Sequence, residues 1–263
     1  MARTLEGTCA LITGSVRGLG LAAAHRLAAA GCNIVLNGID DSRDVQPVGD
    51  ELERVHGVRA LYCKADLRRP IEIETMIAAA ANAMGTIDIV INNAVVRHTA
   101  PVEAFGTSEW DEGIAVNVSA AFHTIRLAVP GMKQRRWGRI VNVSSIYGMR
   151  GAANRVNYVT SKTALIGMTR AVALETVGHG ITCNAVCPGT TESPVHDETI
   201  RAAMSNEGLT REEAEKRFLT GKQPIGRFIG ADNVAALILF LCGLEASDIT
   251  GAVLPIDGGW SSS

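Results

Sequence analysis

The sequence is poor in aromatic residues, which make up 4% of its 263 positions. It is poor in lysine as well, with five Lys against twenty Arg. It has no surplus of either charge: 25 basic and 27 acidic residues leave a formal net charge of −2. Without a broad basic field to hold a polyanion through counterion release, nucleic acid is not expected as a partner. A long apolar run is also missing. The stretch from Val234 to Cys242 covers nine residues, well short of the roughly 20 that cross a bilayer. The first ten residues have no signal-peptide architecture, so a soluble, cytoplasmic protein with no membrane partner is expected. The six Cys, at 9, 32, 63, 183, 187 and 242, form no CxxC pair and have no His cluster beside them. Neither a disulfide framework nor a metal site is therefore expected. Internal repeats and low-complexity blocks are absent too.

What remains is a globular composition, 47% hydrophobic and 20% charged, with a length that suits one large α/β domain. Strand-like runs occur at Cys9–Thr13, Asn33–Asn37, Ala60–Lys64, Ile87–Asn92, Arg139–Ser144, Thr182–Cys187 and Ala252–Ile256. Between them lie helical stretches at Leu19–Ala30, Val45–His56, Ile71–Met84, Trp110–Arg135, Tyr158–Val177 and Asp232–Leu244. Continuous Val/Ile runs alternating with helices predict a single-domain Rossmann fold over residues 1–263: a doubly wound, parallel, seven-stranded sheet with helices on both faces. The polar segment 190–223 interrupts the alternation after the sixth strand and carries a capping-box pattern at Thr210–Glu213. It is expected to form a helical substrate flap at the carboxyl edge of the sheet.

Directly after the first strand, Thr13-Gly14-Ser15-Val16-Arg17-Gly18-Leu19-Gly20 leads into an Ala-rich helix. Glycines at Gly14, Gly18 and Gly20 permit a tight turn, and the helix amino terminus offers unpaired N–H groups, so a pyrophosphate fits this turn. Further along stands Tyr158-x3-Lys162. With three Tyr and five Lys, this spacing is expected about 0.06 times by chance in a chain of this length. Residues four apart share a helix face. A phenol titrates near 10 in water and becomes a useful base at neutral pH when nearby positive charge stabilises the phenolate.

The pattern TGxxxGxG after strand one, Asp66-Leu67 after strand three, Asn92-Asn93-Ala94 after strand four and Tyr158-x3-Lys162 resembles the short-chain dehydrogenase/reductase family. The likeness extends through Asn184-Ala185-Val186-Cys187-Pro188-Gly189 to Asp257-Gly258-Gly259. Within that family the chain resembles bacterial D-3-hydroxybutyrate dehydrogenases in Val35–Gly38, His98–Ala100, Ala173–Thr176, Gly180–Thr182, Lys222–Pro224 and the Gly258-Gly259-Trp260 ending. The resemblance implies catalysis by Ser145, Tyr158, Lys162 and Asn117, with Asn117 holding a water that links Lys162 to solvent. It implies a nicotinamide cofactor bound by Gly14, Arg17, Gly18, Leu19, Gly20, Asp66, Leu67, Asn93, Ala94, Tyr158, Lys162, Pro188, Gly189, Thr191 and Ser193. It also implies a homotetramer. One departure is Val95, where the family usually has Gly.

NAD is expected over NADP. Arg17 suits a 2′-phosphate, but Asp40 and Asp41 follow the second strand and repel one at close range. The expected substrate site comprises Arg97, Ser145, Tyr147, Arg155 and Thr190. Where the hydroxybutyrate enzymes place Gln, His, Lys and Gln around the substrate carboxylate, this chain has Arg97, Tyr147, Arg155 and Thr199, and Thr190 replaces their Trp. Two guanidinium groups at the carboxyl edge of the sheet can clamp an anion, unless they pair with flap acids such as Glu192 or Asp197. His98 and His196 are expected to be hydrogen-bonded structural groups. The expected reaction is reversible oxidation of a small, anionic secondary alcohol, a 3-hydroxy acid such as 3-hydroxybutyrate. The alternatives are an NADPH-dependent 3-oxoacyl thioester reductase and, from a different class, a non-catalytic nicotinamide-binding sensor.

Overall fold

Seven apolar runs form β1 (Cys9–Ile12), β2 (Asn33–Gly38), β3 (Ala60–Lys64), β4 (Ile89–Asn92), β5 (Gly138–Val143), β6 (Ile181–Pro188) and β7 (Val253–Ile256) in the computed structural model, which describes residues 4–192 and 194–263. They pair in parallel in the order β3-β2-β1-β4-β5-β6-β7. Every residue of β1, β4, β5 and β6 is buried, because helices cover both faces of the sheet. The strand order reverses between β1 and β4, which opens a crevice at their carboxyl ends.

The helices are α1 (Gly18–Ala29), α2 (Ser42–His56), α3 (Pro70–Met84), α4 (Thr107–Ile114), α5 (Ala120–Arg135), α6 (Val156–Thr176), α7 (Pro194–Glu207), α8 (Arg211–Leu219) and α9 (Ala231–Cys242). Residues of α1 and α9 pack with one face of the sheet around Leu27, Ile34, Ile89 and Ile238. Residues of α3, α5 and α6 fill the other around Leu11, Ile73, Val90 and Ile140. A buried chain of hydrogen bonds ties that second layer to the sheet. Thr124 Oγ1 donates to Asn92 Oδ1 at 2.6 Å, Asn92 Nδ2 to Asn142 Oδ1 at 2.9 Å, and Asn142 Nδ2 to Thr169 Oγ1 at 2.9 Å.

The expected single helix Trp110–Arg135 is corrected: it starts earlier, at Thr107, and is divided by a π turn at Ala115–Ser119. Such a turn inserts one residue into the helical ladder and re-aims a side chain. The re-aimed residue is Asn117, an amide in an apolar stretch that α-helical geometry does not favour. The expected start of α2 is corrected as well. Asp41 caps it by accepting from Arg43 N at 3.0 Å, so the helix begins at Ser42.

The capping box at Thr210 and Glu213 forms as expected at the start of α8. Helices α7 and α8 share a small hydrophobic cluster, Ile200, Ala214, Leu219 and Phe228, apart from the two main cores.

Candidate active site

The glycine turn is shaped by its neighbours. Ser15 N donates to Asn37 O at 2.9 Å and Ser15 Oγ to Ile12 O at 2.8 Å. Asn93 Nδ2 donates to the carbonyls of Thr13 and Gly14 at 3.0 and 2.9 Å. A Cβ at Gly20 would strike the Gly14 carbonyl and the Asn93 amide, whereas Gly18, at φ +58°, faces open space. No side chain caps the amino terminus of α1. An uncapped terminus behind a turn closed to side chains at Gly14 and Gly20 has the shape to take a pyrophosphate.

The remaining cofactor candidates are less uniform. Asn93 and Ala94 lie against the turn: the Ala94 backbone amide donates to Thr13 Oγ1 at 3.1 Å, and the Asn93 side chain holds loop carbonyls. The carboxylate of Asp66 is gripped by Arg68, with contacts of 2.7 to 3.0 Å, and that guanidinium holds it below the usual carboxylate range. Leu67 is buried beside it. Pro188 ends β6 and Gly189 follows, with a Cβ there blocked by Gln223 and Asp257. Thr190 is held through its backbone amide by Gln223 Oε1 at 2.6 Å, while Thr191 forms an isolated bridge with Ile229. Ser193 lies outside the described residues.

At the carboxyl edge the four expected catalytic residues converge. Tyr158 and Lys162 lie on α6, both buried, with Lys162 Nζ 5.7 Å from the centre of the Tyr158 ring and donating to Val143 O at 2.8 Å. Ser145 follows β5, and its hydroxyl accepts from Tyr147 N at 3.2 Å. The adjacent Ser144 instead donates to the Lys162 carbonyl at 2.7 Å, which fixes α6 to the strand end. Asn117 Oδ1 accepts from Val96 N at 2.9 Å, and its Nδ2 donates to Val96 O at 3.0 Å and Ser161 Oγ at 3.3 Å. That amide therefore joins the β4 exit loop to α6.

Burial pushes the Tyr158 phenol up, but the charges of Lys162 and Arg97, with hydrogen bonding from Ser145 and Arg97, outweigh it and hold the phenol below its ordinary value. Burial acidifies the Lys162 ammonium, an effect the phenol partly offsets. The pairing is that of a base prepared to accept a proton, with a cation behind it.

Arg97 reaches this centre, its guanidinium 5.5 Å from the middle of the Tyr158 ring. Tyr147 stands edge-on to Tyr158, with centroids 6.3 Å apart, and to Trp260 at 5.3 Å. Arg155 is the residue just before α6. The alternative of pairing with Asp197 is corrected: Asp197 engages Arg201 and Arg211. His98 bonds Glu112 at 2.8 Å, and His196 bonds the Thr191 carbonyl at 2.9 Å and stacks on Phe228, so both take the structural roles expected of them. Among the described residues no group of His, Cys, Asp or Glu could hold a metal ion.

Two features were not read from the sequence. Trp260 packs edge-on against Tyr147, and Lys222 lies over the Phe218 ring at 4.2 Å, with burial first and the charge of Arg155 second holding its ammonium down. The rarity of both residue types was the available signal.

Residues 8–203 match the short chain dehydrogenase family. The chain belongs to the short-chain dehydrogenases. It is 41% identical to a D-beta-hydroxybutyrate dehydrogenase of Cupriavidus necator, over 97% of this chain and 98% of that protein. It is 40% identical to another from Rhizobium meliloti, over 96% and 98%, and 34% identical to a 3-oxoacyl-acyl-carrier-protein reductase of Aquifex aeolicus, over 97% and 98%. The structure of an L-sorbose reductase from Gluconobacter frateurii superposes with a TM-score of 0.93 at 27% identity, covering all of both chains. As a short-chain dehydrogenase the protein is a nicotinamide-dependent oxidoreductase acting on CH–OH groups of a small molecule.

Proposed function

We propose that the protein oxidises a small, anionic secondary alcohol reversibly with NAD, a 3-hydroxy acid such as 3-hydroxybutyrate or a relative of it. The observation that carries this reading is the Arg97 guanidinium 5.5 Å from the Tyr158 ring: a cation at the reacting centre can hold a carboxylate one or two bonds from the carbinol. The glycine turn before α1 would hold the pyrophosphate of the cofactor, whose nicotinamide, when bound, would supply a two-electron acceptor for hydride. Tyr158 accepts the hydroxyl proton as the carbonyl forms, and Ser145 donates to the substrate oxygen. Lys162 keeps the phenol acidic, and Asn117 holds the Val96 loop against α6 beside the path by which the proton leaves.

NAD is supported by Asp40. Its carboxylate reaches the space that a side chain at Gly38 would fill, with Oδ2 3.3 Å from a Cβ built there, and its Oδ1 lies 3.5 Å from Arg17 Nη1. An acid in this place suits a ribose 2′-hydroxyl and repels a 2′-phosphate. The same pairing weakens the NADPH-dependent thioester reductase reading, which needs Arg17 free. A cytoplasmic location is supported by six buried, unpaired cysteines. A homotetramer is supported by the exposed Phe122, Leu174, Phe240 and Leu244, spread over α5, α6 and the end of α9.

Tyr158→Phe tests the reading. It removes the proton acceptor and leaves the glycine turn intact, so kcat for 3-hydroxybutyrate should fall by roughly a thousand-fold or more, with NADH binding, followed by its fluorescence, nearly unchanged. A variant that keeps most of its kcat rules out the assignment.

A further inference from the structure

The short-chain dehydrogenase site carries more positive charge than one carboxylate can balance. Arg97 stands at the Tyr158 ring. Lys222 lies over the Phe218 ring at 4.2 Å, and Phe218 packs against His196, with ring centroids 5.3 Å apart. Burial holds the His196 imidazole below its ordinary value; the bond to the Thr191 carbonyl raises it, and the charges of Arg97, Lys222 and Arg155 add to the lowering. Arg155 lies three residues before Tyr158 at the start of α6, and Lys162 is a further basic group behind Tyr158.

Four acids of the flap are engaged elsewhere. Asp197 binds Arg201 and Arg211, Glu215 binds Arg211, Glu207 binds Arg217, and Glu213 closes its own capping box. Asp257, near the site, accepts from Gly259 N and Ser261 N. Among the described residues Arg97, Arg155 and Lys222 have no ion-pair partner, in a chain where ten other Arg side chains are paired. Like charges gathered without counter-ions repel one another, and the repulsion is relieved when an anion arrives. An oxidised nicotinamide adds one more positive charge.

We propose that the substrate is a secondary alcohol flanked by two carboxylates, one held by Arg97 beside Tyr158 and the other by Arg155 and Lys222 beneath the flap. This inference rests on the anionic-substrate reading above and goes further by fixing the number of charges.

The test compares 3-hydroxyglutarate with 3-hydroxybutyrate, which share the carbinol and one carboxymethyl arm and differ in the second carboxylate. In parallel, glutarate and butyrate, which do not react, are titrated into the enzyme–NADH complex and followed by NADH fluorescence. The diacid is expected to have a kcat/KM at least about ten-fold higher, and glutarate to bind at least about ten-fold more tightly, the scale of one added charge-assisted contact. Arg155→Gln should bring both ratios close to one. A kcat/KM for 3-hydroxybutyrate equal to or above that of the diacid, or butyrate binding as well as glutarate, overturns the two-carboxylate proposal and leaves the anionic reading intact. Turnover of neutral alcohols alone, with neither acid binding, overturns both.

Discussion

Asp40 stands in for an acid that β2 does not carry. The strand ends in Gly38, and the chain turns so that the residue two positions later folds its carboxylate back over that glycine. Tyr62 holds the turn by donating from its hydroxyl to Asp40 O at 2.9 Å. Asp41, the other candidate, is committed to the α2 cap. On the proposed NAD reading Asp40 has two roles: an acceptor for a ribose hydroxyl, and a partner 3.5 Å from Arg17, which alone would favour a 2′-phosphate. Asp40→Ser should weaken NADH binding and strengthen NADPH binding, moving the ratio of their Kd values by about ten-fold or more toward NADPH. Fluorescence titration of both reduced cofactors checks this, and an unmoved ratio refutes the role. A second residue-scale consequence concerns pH. Alcohol oxidation needs the phenolate, so kcat/KM rises with pH until Tyr158 has titrated. Arg97 and Lys162 hold that phenol below its ordinary value against the effect of burial. Removing the Arg97 charge lets the phenol rise, so in Arg97→Gln the ascending limb should move to higher pH. A neutral alcohol as substrate separates this shift from lost carboxylate binding, and a limb that stays in place would show that Arg97 does not act on the phenol.

At the scale of elements, the chain from Thr124 through Asn92 and Asn142 to Thr169 links α5, β4, β5 and α6 by buried hydrogen bonds. It positions the helix bearing Tyr158 against the strand that ends at Ser145. Replacing Asn142 with Ala leaves the Asn92 Nδ2 donor without its acceptor in a dry interior, opens a cavity, and leaves Thr169 with only its bond to Leu165 O at 2.7 Å; an unmet polar group costs about 1–3 kcal/mol. A loss of roughly 2–4 kcal/mol in urea unfolding is expected, with a drop in the denaturant midpoint at constant m-value. A loss below about 1 kcal/mol would mean that the chain does not join these elements. The strands were legible in the sequence because a sheet covered on both faces demands unbroken Val/Ile runs, and the Tyr158–Lys162 pair was legible because its residue types are rare. The π turn at Ala115–Ser119 was not. It preserves the apolar character of the stretch and differs only in hydrogen-bond register, which no composition records. The partner of Arg17 was half visible: Asp40 was in the sequence, but its return over Gly38 depends on a turn conformation fixed by Tyr62, from another strand.

For the whole molecule, a formal charge of −2 offers no long-range attraction for an anionic substrate, so the attraction has to be local and the chamber must exclude water to make it strong. On the proposed reading the flap serves that task. Helices α7 and α8 pack on each other through Ile200, Ala214, Leu219 and Phe228 and contribute to neither main core, so they can shift together without opening the sheet. His196 stands near one end of this segment and Lys222 just beyond the other, and both pack on Phe218. On the proposed two-carboxylate reading, an anion joining the two sides relieves their mutual repulsion and draws the flap down. Backbone amides of 197–219 should therefore exchange hydrogen more slowly in the enzyme with NADH and glutarate than with NADH alone, while amides of β1, β4 and β5 stay unchanged. Lys222→Gln should reduce the added protection. Equal exchange in both complexes would mean that the segment is a fixed surface feature, and the site would then have to exclude water through Tyr147 and Trp260 alone.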